Sequence, residues 1–259
     1  MTMDYEYRGL LASTWDVWRD DTANWSDRHL FLEVIRRYGE PALDVGCATG
    51  RLILDFLEQG IDCDGVDVSP EMLAITRAKA AARGLRPNLY QQRMEALDLP
   101  RAYRTILVPS STFQLITDAN AAQEAMRRFS NHLLPGGVLV MPFFLPWQPG
   151  QPLETDWLLV FERVRASDGL TVRRWSYERY EPELQLWHSK DRFEVVREGE
   201  VIDVENHERS PAGRWYSQAQ AAALFEQADF VNIRVTSEFS DAPATEGEAL
   251  FCVWGEKRL

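Results

Sequence analysis

The sequence predicts an α/β fold: a doubly wound, mostly parallel sheet of seven strands, interrupted after the fifth strand by an antiparallel β insertion. Three observations predict it. Short apolar runs alternate with helical periods through the first half of the chain, the pattern of stacked β-α-β units. A glycine turn, Asp44-Val45-Gly46-Cys47-Ala48-Thr49-Gly50, leads from an apolar run into a helix, and a second apolar run ends at Asp67, about 20 residues on. The texture then changes after Phe144. From Leu158 to about Arg209 there is no helical period, and β-favouring runs are broken by S-D-G, E-P-E and E-G-E.

The elements follow in order. Ser26 is placed to cap a helix with Leu30, Val34 and Ile35 on one face and Gly39 at its end. Ala42, Leu43 and Val45 form the first strand. Leu52, Ile53, Phe56 and Leu57 give the next helix an apolar stripe, closed by Gly60. The second strand is Ile61 to Asp67. Ser69-Pro70-Glu71 starts a helix with a cap hydroxyl, a preset φ and an acid near the positive helix end; it runs to about Arg83. A third strand lies near Asn88 to Gln92. The fourth, T-I-L-V-P, is continuously apolar, as a strand covered on both faces should be. Thr117 or Asp118 starts a helix through Leu134, and Pro135-Gly136-Gly137 turns the chain into the fifth strand. Three or four antiparallel strands follow. Ser217 then caps a last helix, and V-N-I-R-V and A-L-F-C-V-W close the sheet as an antiparallel pair. The predicted units are residues 1–25, an aromatic helical lid (Tyr5, Tyr7, Trp15, Trp18, Trp25); 26–144, a ligand-binding core; 145–215, the insertion, covering the substrate; and 216–259, completing the core sheet.

Composition narrows the function. The 259 residues carry a net charge of −12 and no basic run, which opposes a nucleic-acid surface. Hydrophobic residues make up 45%, enough for an ordinary core, yet no apolar run approaches the ~20 residues that span a bilayer. The start M-T-M-D-Y-E-Y is acidic, unlike a secretory signal, so a cytoplasmic location is expected. The three cysteines are scattered without C-x-x-C spacing, and no histidine pair has helical metal-ligand spacing, so no metal is expected.

The charge in the glycine turn selects the ligand. A dinucleotide brings a pyrophosphate to the helix N-terminus, where an adjacent acid is unfavourable. Asp44 would repel that group but attract an ammonium or sulfonium. S-adenosylmethionine (SAM) carries both and has no phosphate. Asp67 stands where a ribose-binding acid is needed. The plain alternative makes Asp44 a turn cap and Asp67 a polar strand end; the coincidence of both acids with both glycines in one unit opposes it.

At these residues the sequence resembles the class I SAM-dependent methyltransferases, small-molecule type. D-V-G-C-A-T-G matches the first motif of that family, with Ala48 where glycine is common, and V-D-V-S-P-E-M-L matches the second. Q-R-M-E-A-L-D-L-P is similar to the adenine-edge segment, with Arg93 where an aspartate is frequent. A-S-T-W-D resembles a segment common just before the core, with Trp15 in place of a tyrosine. V-P-S-S-T-F-Q-L-I is similar to the segment beside the transferred methyl. The resemblance implies the Rossmann-like methyltransferase fold, SAM as cofactor with S-adenosylhomocysteine as product, and cofactor contacts from Trp15, Asp44, Gly46, Cys47, Ala48, Gly50, Asp67, Val68, Met72, Met94, Glu95, Pro109 and Ser110.

Methyl transfer is an in-line displacement that needs a positioned nucleophile in a water-poor pocket. A neutral amine needs little else, whereas a hydroxyl needs a base or a metal. His188 and His207 are the candidate bases; His29 and His132 fall in helix patterns away from the strand ends. Phe113 and Gln114, after the fourth strand, and Trp175, Tyr177, Trp187, Trp215 and Tyr216, in and after the insertion, are the candidate acceptor contacts. Cys47 reads as a small residue in a tight turn rather than a nucleophile. The expected partner is a small-molecule acceptor, with N-methylation favoured over O-methylation, and the oligomeric state is open. The alternatives are an NAD-dependent oxidoreductase and a SAM-binding regulatory protein without catalysis.

Overall fold

The computed structural model describes residues 7–19 and 25–259. Tyr5, one of the aromatics assigned to the lid, lies outside the described residues.

Seven strands form the main sheet: β1 (Ala42–Val45), β2 (Cys63–Asp67), β3 (Leu89–Gln91), β4 (Tyr103–Leu107), β5 (Leu133–Phe144), β10 (Phe230–Ser237) and β11 (Leu250–Lys257). Their order is β10-β11-β5-β4-β1-β2-β3. The strands from β5 to β3 run parallel, while β11 is antiparallel to both β5 and β10. The chain reverses its direction of travel across the sheet between β1 and β4. In a doubly wound sheet that switch point opens a crevice beyond the carboxyl ends of the strands.

Alternation along the strands explains the two cores. Leu43 and Val45 of β1, and Leu139, Met141 and Phe143 of β5, join Phe129 of α5 (Ala119–His132) and Phe225 of α6 (Gln218–Gln227) on one face. Ala42, Val138, Val140 and Trp254 meet the apolar stripes of α2 (Ser26–Tyr38), α3 (Arg51–Glu58) and α4 (Pro70–Ala82) on the other. Burial on both faces accounts for the apolar residues on either side of Asp44 in β1 and for the apolar end of β4, Ile106 and Leu107.

Capping differs from expectation in one place. Trp25, not Ser26, is the N-cap of α2, and no side chain caps that end. Ser69 accepts from Met72 N at the start of α4, Asp118 caps α5, and Ser217 and Gln220 form a reciprocal capping box on α6. A second difference concerns β5. Its pairing with β4 begins at Leu133, and Pro135-Gly136-Gly137 is absorbed as a register shift rather than a separating turn.

The insertion is a separate four-stranded antiparallel meander, β6 (Leu158–Val164), β7 (Thr171–Glu181), β8 (Leu186–Arg197) and β9 (Glu200–Arg214). Its three turns fall at the breaks read from sequence. Gly169 and Gly199 adopt left-handed φ values of 71° and 89°, which favour glycine there. One side chain fastens both ends of this sheet. Gln114 is fully buried; its Oε1 accepts from Phe144 N at 2.8 Å, and its Nε2 donates to Phe144 O at 2.8 Å and Arg214 O at 3.2 Å.

Candidate functional site

The glycine turn and its neighbours build one cleft at the switch point, with about 1150 Å³ of empty space including its mouth. The turn is held open by backbone bonds: Gly46 N and Cys47 N both donate to Val66 O, at 2.7 and 3.0 Å. Two glycines are needed for space as well as conformation. A Cβ on Gly46 would lie 2.4 Å from the Thr112 methyl, and one on Gly50 would lie 2.7 Å from the Thr76 methyl. Ala48 stands where the resembled motif has glycine, yet it keeps the left-handed conformation at φ 46°. It is held there by both its polar groups. Its N–H donates to Asp67 Oδ2 at 2.9 Å, and its carbonyl accepts from Thr76 Oγ1 at 2.6 Å.

Of the thirteen residues assigned to the cofactor, twelve line this cleft: Trp15, Asp44, Gly46, Cys47, Ala48, Asp67, Val68, Met72, Met94, Glu95, Pro109 and Ser110. Gly50 does not. It is the left-handed N-cap of α3, so its part is to shape the turn. Asp44 is fully buried and its Oδ1 has no hydrogen-bond partner. Burial pushes its carboxyl up to about 7, with Arg51 and a backbone bond from Ile53 pulling the other way. Asp67 is also raised by burial, opposed by backbone bonds from Ser69 and Ala48. Burial raises the Cys47 thiol well above its ordinary value, so it is not a nucleophile. Glu95 is paired with Arg93 at 2.5 Å, on the one-turn helix Met94–Ala96.

The cleft has further walls that sequence reasoning missed: Tyr7, Arg19, Arg51, Gln92, Leu115 and Ile116. Arg51 is committed to Asp27 through two hydrogen bonds, at 2.9 and 2.5 Å. The signal for Arg19 was its place one helical turn beyond Trp15, inside the aromatic segment.

None of the acceptor candidates lines the cleft, and each has a visible structural reason. Phe113 is fully buried among Phe129, Phe143 and Tyr216. Gln114 is the fastener of the insertion. Trp215 packs edge-on against Tyr180, and Trp187 covers Gly213, where a Cβ would lie 2.1 Å from its ring. Trp175 donates to Glu194 across the strand pair at 3.4 Å. Tyr177 and His188 lie instead in a shallow groove with Trp157, Arg179 and Lys190. His188 contacts Ser210 Oγ at 2.7 Å and Glu181 at 3.3 Å. His207 packs edge-on against Phe193, 3.2 Å from Glu205, and burial lowers its pKa. The candidate bases therefore lie outside the cleft.

What stands over the cleft is the N-terminal segment, α1 (Gly9–Ser13) and the turn Trp15–Val17, itself clasped by the inserted sheet. Leu10 N donates to Glu205 of β9, Trp18 stacks on Phe161 of β6, and Phe193 of β8 joins Leu11 and Met72. The sheet thus packs on the N-terminal segment, and that segment lines the cleft through Tyr7, Trp15 and Arg19.

Comparison with known proteins decides the class. Residues 42–137 match the methyltransferase domain family. The chain is a SAM-dependent methyltransferase with the class I fold. It is an enzyme and its cofactor is SAM, which removes the dinucleotide and non-catalytic alternatives. The chain is 27% identical over 192 residues to the dTDP-3-amino-3,4,6-trideoxy-alpha-D-glucopyranose N,N-dimethyltransferase of Streptomyces venezuelae, covering 73% of this chain and 70% of that one. The fold is similar to that of a SAM-dependent methyltransferase from Clostridium acetobutylicum, with a TM-score of 0.75 at 20% identity, over 95% of this chain and 97% of the other. It is also similar to the sugar N-methyltransferase KedS8 from Streptoalloteichus, with a TM-score of 0.69 at 21% identity, over 100% and 98%. Both alignments extend across the inserted sheet. No helix among the described residues is long and apolar enough to cross a membrane.

Proposed function

We propose that this enzyme methylates an amino group on a small-molecule acceptor. The observation that carries the reading is the buried carboxylate of Asp44 in the cleft, whose Oδ1 has no hydrogen-bond partner, beside a turn that would keep Asp67 within reach of a ribose. SAM presents a cation to the first acid and a diol to the second. Gln92 to Glu95 supply the edge for adenine. Ser110 and Ser111, in the loop after β4, line the cleft and would face the methyl-bearing end of the cofactor. The cofactor, when bound, supplies an activated methyl on a good leaving group.

The chain's own work is then to exclude water and align the nucleophile. The described cleft lining offers no imidazole, and its two buried acids would be engaged by the cofactor. An amine delivered in its neutral form needs no further base, which favours nitrogen over oxygen as the acceptor atom. The amino-sugar N-methyltransferase among the relatives supports the same choice and the small-molecule class.

The test is turnover with SAM across a panel of primary amines, amino sugars and phenols, read as product mass gain and S-adenosylhomocysteine release. Methylation of amines and not of phenols is expected. Turnover confined to phenols would overturn the nitrogen assignment.

A further inference from the structure

The N-terminal segment grips the glycine turn through Asp16. This residue lies on the turn Trp15–Val17, next to Trp15, which lines the cleft. Its two oxygens reach two other elements. Oδ1 accepts from Thr49 Oγ1 at 2.7 Å, and Oδ2 pairs with Lys79 Nζ of α4 at 2.9 Å. Thr49 stands between Ala48 and Gly50, is 1% exposed and lines the cleft. The stretch it belongs to needs support. Gly46, Ala48 and Gly50 all take left-handed φ values, 75°, 46° and 85°. A residue with a side chain stays in that region where its surroundings hold it there. Ala48 is held by Asp67 and Thr76, and Thr49 by Asp16. β2, α4 and the N-terminal segment thus each supply a hold on the same turn. The first two belong to the packed core. The third comes from a segment whose helix is five residues long and rests on its contacts with other elements. A buried hydroxyl without an acceptor is costly, so Thr49 favours the position of the segment that brings Asp16 to it. That same position sets Trp15 along the cleft.

We propose that Asp16 is a positioning residue of the cofactor site: its hydrogen bond with Thr49 latches the N-terminal segment to the glycine turn, so that closing the segment and setting the turn are one event. The inference rests on the proposed placement of SAM in this cleft. Asp16 does not line the cleft; it acts through Thr49 and Trp15. A ligand bound beneath Trp15 is released as the segment lifts, and lifting breaks the bond between Asp16 and Thr49. The latch therefore belongs to the barrier for release, whereas entry meets a segment already open.

The test measures SAM association and dissociation rates by stopped-flow fluorescence for the wild type, Asp16→Ala, Asp16→Asn, Thr49→Val and Lys79→Met. Asparagine keeps an oxygen to accept from Thr49 and removes the charge that holds Lys79. Valine keeps the shape of threonine and removes the hydroxyl. Asp16→Ala and Thr49→Val should each raise the dissociation rate about 5- to 20-fold, the lower end for a hydrogen bond to a charged, partly exposed group, with association unchanged. The double variant should be no faster than the faster single one, because both remove the same bond. Lys79→Met should stay within about twofold of the wild type, since a half-exposed ion pair is worth little. Asp16→Asn should recover most of the loss, a rescue that a general loss of packing would not show. In the unliganded protein, amide exchange at residues 9–18 should rise in Asp16→Ala and Thr49→Val alike and not in Lys79→Met. Losses that add in the double variant, an asparagine variant as fast as the alanine one, or wild-type rates in Thr49→Val would each overturn the latch. If the wild type bound no SAM while amide exchange responded as expected, the placement of SAM would fail and the hold of the segment on the turn would stand, so the two failures are distinct.

Discussion

Asp44 and Asp67 sit 23 residues apart in sequence on adjacent strands, yet the structure gives them different work. Asp67 holds the turn together. Its two oxygens accept from Ala48 N at 2.9 Å and Ser69 N at 2.8 Å, tying the glycine turn to the start of α4. A carboxylate oxygen can accept more than one hydrogen bond, so ribose contact and this clasp are compatible. Asp67→Ala should weaken SAM binding by about 1.5–3 kcal/mol and also lower stability. Titration calorimetry and denaturant unfolding would separate the two losses; unchanged affinity in a folded variant would exclude the ribose role. Asp44 predicts a pH dependence. Its folded-state pKa, about 7, is raised by burial above its ordinary value. The protonated form therefore favours the fold, and this contribution is lost as pH rises through 7. A cationic cofactor favours the ionised form, so SAM affinity should rise between pH 6 and 8, by up to about tenfold per unit that binding lowers the pKa. Asp44→Asn should flatten that rise, and a wild-type affinity constant across the range would refute it.

Elements that declare themselves locally were legible in the sequence. Ser69-Pro70-Glu71 sets a helix start through groups within three residues, and two of the three insertion turns are set by their own glycines. The acids and glycines of the cofactor turn were legible because their spacing is fixed by one β-α-β unit. Contacts between distant segments were not. Gln114 looked like a substrate contact because it follows β4; only the folded chain brings residues 114, 144 and 214 together. The insertion's aromatics looked like a pocket wall because sequence does not say which face of a strand is turned inward, or what lies between that face and the cleft. Ser69 joins both kinds of information. Its Oγ caps α4 at Met72 N, 3.1 Å away, and donates to Tyr7 O at 2.5 Å, at the foot of the lid. Ser69→Ala should cost about 1 kcal/mol through the lost cap, seen as a lower denaturant midpoint. It should also weaken SAM binding by freeing the lid, whereas Ser217→Ala, in the distant capping box of α6, should cost similar stability and leave SAM affinity unchanged.

At the scale of the whole molecule, the inserted sheet reaches the cleft through an intermediary, the N-terminal segment. Its inner face carries Phe161, Phe193 and Glu205, and all three engage the N-terminal segment or the helix beneath it. That segment supplies Tyr7, Trp15 and Arg19 to the cleft. α1 is five residues long, too short to be stable alone, so its order depends on what clasps it. Holding it in place amounts to a free energy subtracted from cofactor affinity whenever the clasp is weakened. Glu205→Ala removes the acceptor for Leu10 N without touching any cleft residue. It should therefore reduce SAM affinity several-fold and raise amide hydrogen exchange across residues 9–18, with the glycine turn itself unaffected. Lys190→Ala, on the outer face of the same sheet, should change neither. If Glu205→Ala left both affinity and exchange at wild-type values, the sheet would be a cover over a lid that stands on its own, and the coupling between insertion and cofactor would be refuted.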